Sequence, residues 1–342
     1  MIGIPTLMIT SAIAILLLIT HSYFLRGPRV TFNFFFFSFL WAFMKEVHAP
    51  RSPIIFPVPY EFLDLRVSVG VSQFTASIGW VFAFYLSWCL AELILKRIDY
   101  YKDRLFAILL LSVIIIGSIS YCMETPAIAV GWWKWKAVDL FLADYLILCP
   151  FLAIFAWMSF GMHFLVAFFL IELSRYRDAS WKCIFFLLPA VHIWIMRFFG
   201  GKKPVEMEGT IVLSILIILA FLSRLRIEYG SVEESAEKAV LPNRRGLVPF
   251  VYWIPVAMAL FMVLVALILE LAVAKNPVLV ISLLPILLFV VLSIKKIPFI
   301  FPFILSVVGA IFTKIFPLTI ISFFIFLFWV ISKFKSKIKR VV

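Results

Sequence analysis

The chain has 342 residues, 65% of them hydrophobic, with a mean hydropathy of +1.13 and only 14% charged side chains. A soluble domain carries roughly 45–50% apolar and about 25% charged residues, so a water-soluble fold, a nucleic-acid-binding module and a disordered tail are excluded. The formal charge of +13 then has meaning only through its placement along the chain.

An apolar run of about 20 residues crosses a bilayer as a helix. Eleven such runs follow one another, over residues 4–24, 31–45, 69–94, 105–123, 142–171, 181–198, 209–223, 248–272, 277–294, 297–312 and 315–332. The second and the last two are short. The expected fold is all-α, a polytopic membrane bundle of 10–11 transmembrane helices. The first run lacks a charged leader and a small-residue cleavage site, so it is read as a span and not as a signal peptide.

Eleven spans put successive loops on alternating sides. One set of loops holds 21 of the 31 basic residues, including Arg26, Arg29, Lys96, Arg97, Arg104, Lys295, Lys296 and the tail from Lys333 to Arg340; the other set holds ten. The positive-inside bias places the richer set in the cytoplasm. The expectation is a multi-pass protein of the cell membrane with its N-terminus outside and its C-terminus inside. The tail KFKSKIKR then faces anionic lipid, and the charge gives no reason to expect a nucleic-acid partner.

The first half carries the chemistry-bearing residues, in two stretches with a shared order of features. The first runs Glu46, Tyr60-Glu61-Phe62, then a helix with Gly79-Trp80. The second runs Glu124, Gly131-Trp132-Trp133-Lys134-Trp135, then a helix with Trp157. Both would rise to the outer face, turn through an aromatic loop and return, which makes a parallel repeat. Glu46 and Glu124 each fall near the outer end of a span. Either they sit hydrated at the interface, or they share a polar cavity beneath the two aromatic loops, because a charge at membrane depth must be paired, hydrated or neutralised. Asp144 lies near the start of the fifth span, five residues after Asp139. Below the headgroups it would be a usable proton donor, or else a hydrogen-bond partner of a neighbouring helix. Trp132, Trp133 and Trp135 cannot all share one helical face. They read as interface anchors or as an aromatic wall for a cation or a polyene.

Other patterns are absent. Cys89, Cys122, Cys149 and Cys183 lack CxxC spacing and read as small buried hydrophobes. His21, His48, His163 and His192 form no HxxxH or HExxH pattern, so no metal and no cofactor are expected. There is no Asp-rich diphosphate–magnesium motif, no EExxxR inside a span, and no Walker or Rossmann glycine pattern. The segment 201–247 holds the seventh span and a charged cytoplasmic loop with Glu233, Glu234, Glu237 and Lys238. Residues 248–342 form a four-helix region with the basic tail, poor in polar side chains apart from Glu270 and Lys314, and read mostly as lipid-facing packing.

His21, Arg26-Gly27, the Phe-rich second span ending in Glu46, Tyr60-Glu61-Phe62, Gly79-Trp80 with Tyr85, Glu124, Gly131-Trp132-Trp133-Lys134-Trp135 and Trp157 stand in one order. This order resembles the carotenoid-biosynthesis membrane protein family, whose members include bacterioruberin-pathway and gamma-carotene 1',2'-hydratases. The resemblance covers about residues 15–200, and implies that residues 1–200 form a hydratase-like six-helix domain. It implies addition of water to the terminal alkene of a polyisoprenoid lipid by acid-catalysed protonation. Glu124 or Asp144 would then be the acid and Glu46 would orient water. Tyr60, Trp80, Trp132, Trp133, Trp135 and Trp157 would line the substrate site. Two other classes fit the same spans. A transporter or lipid flippase suits Pro-broken helices and intramembrane acids. A non-catalytic scaffold would take other membrane enzymes as partners and needs no water path to Glu46 or Glu124.

Overall fold

The computed structural model describes residues 4–48, 60–62, 69–97, 104–135, 149, 151–173, 248–273, 275 and 282–294. Helix α1 (Ile4–His48) is interrupted at Gly27, whose φ of 84° and ψ of 167° are not helical. Gly27 takes the positive φ that other residues avoid, and Pro28 then supplies a fixed φ and no N–H at the start of the next arm. The break is sharp. The Ser22 and Thr31 hydroxyls lie 2.9 Å apart, and Thr31 donates to the Gly27 carbonyl at 2.8 Å. Nine residues of straight helix would separate Ser22 from Thr31 by about 13.5 Å. His21 and Phe34, from the two arms, both pack on Tyr85. The arms are therefore a hairpin, and they occupy the two expected runs 4–24 and 31–45.

The remaining elements follow in order: β1 (Tyr60–Phe62), α2 (Val69–Arg97), α3 (Arg104–Ala129), β2 (Trp133–Trp135), α4 (Phe151–Leu173), α5 (Val248–Ile268) running into a π turn (Leu269–Val273), and α6 (Leu284–Ile294). Lys96 and Arg97 close α2 where its C-terminal dipole favours cations. The end of α3 is set by Gly131, at φ 76°. Trp132 N–H bonds the Ala127 carbonyl at 2.9 Å and Gly131 N–H that of Ile128 at 3.1 Å. This 6→1 and 5→2 pair is a Schellman ending that needs glycine at its left-handed position. It turns the chain directly into β2. Strands β1 and β2 pair antiparallel, with Tyr60 opposite Trp135, Glu61 opposite Lys134 and Phe62 opposite Trp133.

The described residues form an all-α membrane bundle, with one short ribbon between loops. Four helical stretches, Ser11–Phe43 (broken at Gly27 into the two arms), Phe74–Arg97, Ala107–Ala129 and Val251–Leu271, are long and apolar enough to cross a bilayer. Helices α2 and α3 are central: nearly every residue from Trp80 to Leu95 and from Ala107 to Ala127 is buried. Helices α1 and α5 instead expose Leu16, Phe32, Phe36, Leu260 and Leu264, a pattern matched to lipid rather than water. The expected spans 181–198, 209–223, 297–312 and 315–332 and the segment 201–247 lie outside the described residues. Helix α5 packs on α1, α2 and α3, and α6 on α2 and α5.

Phenylalanine locks these helices together. Phe34 of α1 sits at ring-centroid distances of 5.2 Å from Tyr85 and 5.3 Å from Trp88 on α2, and 5.3 Å from Phe164 and 4.9 Å from Phe168 on α4. Edge-to-face pairs at such distances contribute about 0.5–1.5 kcal/mol each beyond their buried area. The two ends of the bundle differ. One end gathers Arg26, Lys96 and Arg97, with Lys96 over the Tyr252 ring and Arg97 bonded to the Ser293 carbonyl at 3.4 Å. The other gathers Glu46, Glu124, Glu270 and the ribbon.

Candidate functional site

The two stretches with shared features meet. Glu46, near the end of the second arm of α1, accepts a hydrogen bond at Oε1 from Trp80 Nε1 of α2 at 2.7 Å. Glu124, near the end of α3, accepts one at Oε1 from Trp157 Nε1 of α4 at 2.9 Å. The partners are 34 positions apart in the first pair and 33 in the second. The two indoles then stack on each other, with centroids 3.8 Å apart and planes 24° from parallel. The strands between the members of each pair are β1 and β2, and they pair antiparallel in register. Equivalent strands can pair antiparallel across a two-fold axis. The repeat is thus visible as geometry: helix with Glu, strand, helix with Trp, twice, joined at the strands and at the tryptophans.

The carboxyl groups are deeply buried, Glu46 at 1% exposure and Glu124 at 4%. A carboxylate at that depth needs hydrogen-bond donors, and a bond with one ionised partner is roughly twice as strong as a neutral one. Indole N–H is a donor only, so each Trp can serve its Glu in either protonation state. Around the stack lie Phe160, at 5.2 Å from Trp80, and Phe84, at 5.6 Å. The result is a pair of acids flanking an aromatic wall.

An apolar cleft of about 130 Å³ opens next to it, lined by Gly79, Met123, Trp132, Phe261, Met262 and Leu269 among others. Gly79 precedes Trp80 and Met123 precedes Glu124, so the cleft lies one residue along α2 and α3 from the two pairs, whose own four side chains do not line it. An apolar cavity of about 150 Å³ is enough for benzene, so this one fits a group of five or six carbons.

Of the residues expected to form a site, the structure brings together Glu46, Trp80, Glu124 and Trp157, and sets half-buried Trp132 in the cleft wall. Tyr60, Trp133 and Trp135 are placed by backbone in the ribbon. Asp144 lies outside the described residues, as does Asp139. Among the described residues no group of three or more His, Cys, Asp or Glu is gathered as for a metal ion.

A second buried polar cluster lies at the basic end. Arg26 forms a bidentate pair with Glu92, at 3.0 Å and 2.6 Å. Its guanidinium lies 3.5 Å from the centroid of Trp88, whose Nε1 also donates to Glu92 at 2.8 Å. Tyr85 Oη accepts from Arg26 at 3.3 Å and bonds His21 Nδ1 at 2.8 Å. Read from sequence, Arg26 is one more basic loop residue. In the structure it is 8% exposed and pins the α1 hairpin to α2. The signal that could have revealed it is Glu92, a lone acid four residues after Trp88 inside an apolar helix.

A scan against protein-family models finds no match for the chain, and searches of curated proteins and of solved structures find none.

Proposed function

We propose that the chain is a membrane enzyme that adds water to the terminal alkene of a polyisoprenoid lipid. The observation carrying this reading is the convergence of the two Glu–Trp pairs on one tryptophan stack beside an apolar cleft. Hydration of a trisubstituted alkene starts with a proton delivered to the less substituted carbon. The tertiary cation that forms needs an aromatic face and one water. Glu124 supplies the proton, with Asp144 the other candidate acid. Trp80, Trp157 and Phe160 present π surface to the cation, Glu46 takes the proton released by the attacking water, and the lipid chain behind the alkene lies in the cleft. Tyr60, Trp132, Trp133 and Trp135 line the approach of the chain. The resemblance to carotenoid hydratases supports the same chemistry.

The test is expression of the chain in a strain that makes gamma-carotene, with lipid extracts compared against an empty vector by mass spectrometry. A product heavier by one water is expected. Identical extracts at confirmed membrane expression would rule the reading out.

The orientation belongs to the same proposal: the end with Arg26, Lys96 and Arg97 faces the cytoplasm, and the basic tail lies on anionic lipid. A cysteine replacing Lys96 should escape impermeant thiol reagents in intact cells and react once the membrane is opened. Labelling in intact cells would invert the topology.

A further inference from the structure

The C-terminal helices bring a second set of buried polar groups to the acidic end. The π turn that ends α5 packs on α3. Its Glu270 is wholly buried; Ser282 donates to Oε1 at 2.7 Å, while Oε2 has no hydrogen-bond partner among the described residues. On α3, Tyr121 and Thr125 are wholly buried as well, and neither hydroxyl has a partner among the described residues. They are four residues apart and so share a helix face. Cys122, beside Tyr121, and Leu269, beside Glu270, both line the apolar cleft, so this stretch of α3 lies close to the turn. Glu270 lies within electrostatic reach of Tyr121 and Cys122, Tyr121 of Cys149, and Cys149 of Glu124. Glu124 directly precedes Thr125 on α3, so these buried groups lie at the level of the Glu124–Trp157 pair.

Three partnerless buried oxygens on α3 and on the turn packed against it are not an ordinary core. Native proteins keep such groups for a bound water, an ion or a function, and a buried water needs about two to four polar partners. Single π turns interrupt the regular helical ladder and recur at functional sites. Glu270 has no ion-pair partner among the described residues, and a buried carboxyl without one is costly unless donors reach it.

We propose that α3 and the π turn enclose a buried water site, held by Glu270 Oε2, Tyr121 Oη and Thr125 Oγ1, which supplies water and protons to Glu124. The role in supply rests on the hydration reading. Each turnover consumes one water in an interior that otherwise excludes it. Glu124 gives a proton to carbon, water bonds the cation and loses a proton to Glu46, and Glu124 is reprotonated through the chamber while Glu46 releases its proton. The sum is one water added to one double bond. Glu270 is a positioning residue in this scheme, since it touches water and not the alkene.

Radiolytic hydroxyl labelling of the purified full-length protein in detergent, read residue by residue by mass spectrometry, tests the site. Water held against a side chain labels it even when bulk solvent does not reach it. Tyr121 is expected to label several-fold faster than Tyr85, which is equally buried but bonded to His21 and Arg26. Glu270→Leu should bring Tyr121 down to the Tyr85 level. Glu270→Gln, the variant that keeps the shape, should retain the labelling yet slow product formation. Tyr121 labelling no faster than Tyr85 in the unmodified protein overturns the proposal. Labelling needs no substrate, so the two readings fail separately. Fast labelling without hydration product keeps the water site and removes its role in supply. Hydration product without fast labelling removes the site alone.

Discussion

Replacing Glu124 by Gln is expected to slow alkene hydration by about 10²–10⁴-fold, the usual contribution of a general acid. The substitution is close to isosteric. The Gln amide oxygen still accepts the 2.9 Å bond from Trp157 Nε1, so the stack on Trp80 and the fold are retained. What is lost is the acidic proton. Glu46→Gln should reduce the rate in the same range, because the partner that receives the proton from the attacking water is removed. Trp157→Phe is expected to do less. It keeps an aromatic surface beside Trp80 but removes the donor that orients Glu124. Rates at matched amounts of monodisperse protein would check the order. Full activity in Glu124→Gln would leave Asp144 as the acid; full activity in both Glu variants would count against the two-pair site altogether.

The largest effect on stability is expected at the opposite end, from Arg26→Met. Its side chain is 4% exposed and that of Glu92 15%. Removing one member of a buried, hydrogen-bonded pair strands the other charge and destabilises by about 3–5 kcal/mol. Tyr85 and the Trp88 ring face lose their cationic neighbour at the same time. Glu92→Leu should be similarly damaging. The double variant Arg26→Met with Glu92→Leu should recover much of the loss, since an apolar replacement of both partners leaves no stranded charge. Thermal unfolding in detergent distinguishes these cases. Single variants as stable as the parent would mean that the pair does not hold the α1 hairpin on α2.

Much of the architecture is legible from hydropathy because lipid imposes a length on every span. Residues 4–24 are long enough to cross and 31–45 short, yet both runs are recognisable, and the structure puts the break between them at Gly27. The repeat is legible as well, since the order of acid, aromatic run and Trp survives where most of the intervening sequence differs. What pattern alone cannot supply is the pairing. Glu46 could as well have been a hydrated interfacial carboxylate, and only the fold shows its oxygen at Trp80. Arg26 is misread for the same reason. Its charge counts toward topology, while its burial depends on Glu92, 66 positions away. Glu270 is the third instance. An acid at the end of an apolar run resembles an interface residue, and it takes the π turn and the packing on α3 to bury it completely. Within the Trp-rich loop, Gly131 holds the left-handed position at which α3 ends and the chain turns into β2.

Isotope placement tests the central claim most directly. Purified protein is incubated with gamma-carotene in water enriched in ¹⁸O and deuterium, and the product is resolved by mass spectrometry and NMR. One ¹⁸O on the tertiary carbon and one deuterium on the adjacent carbon are expected, with both incorporated about 10²–10⁴-fold more slowly in Glu46→Gln or Glu124→Gln. Recovery of unlabelled, unchanged lipid from the active-site-intact protein would contradict the claim.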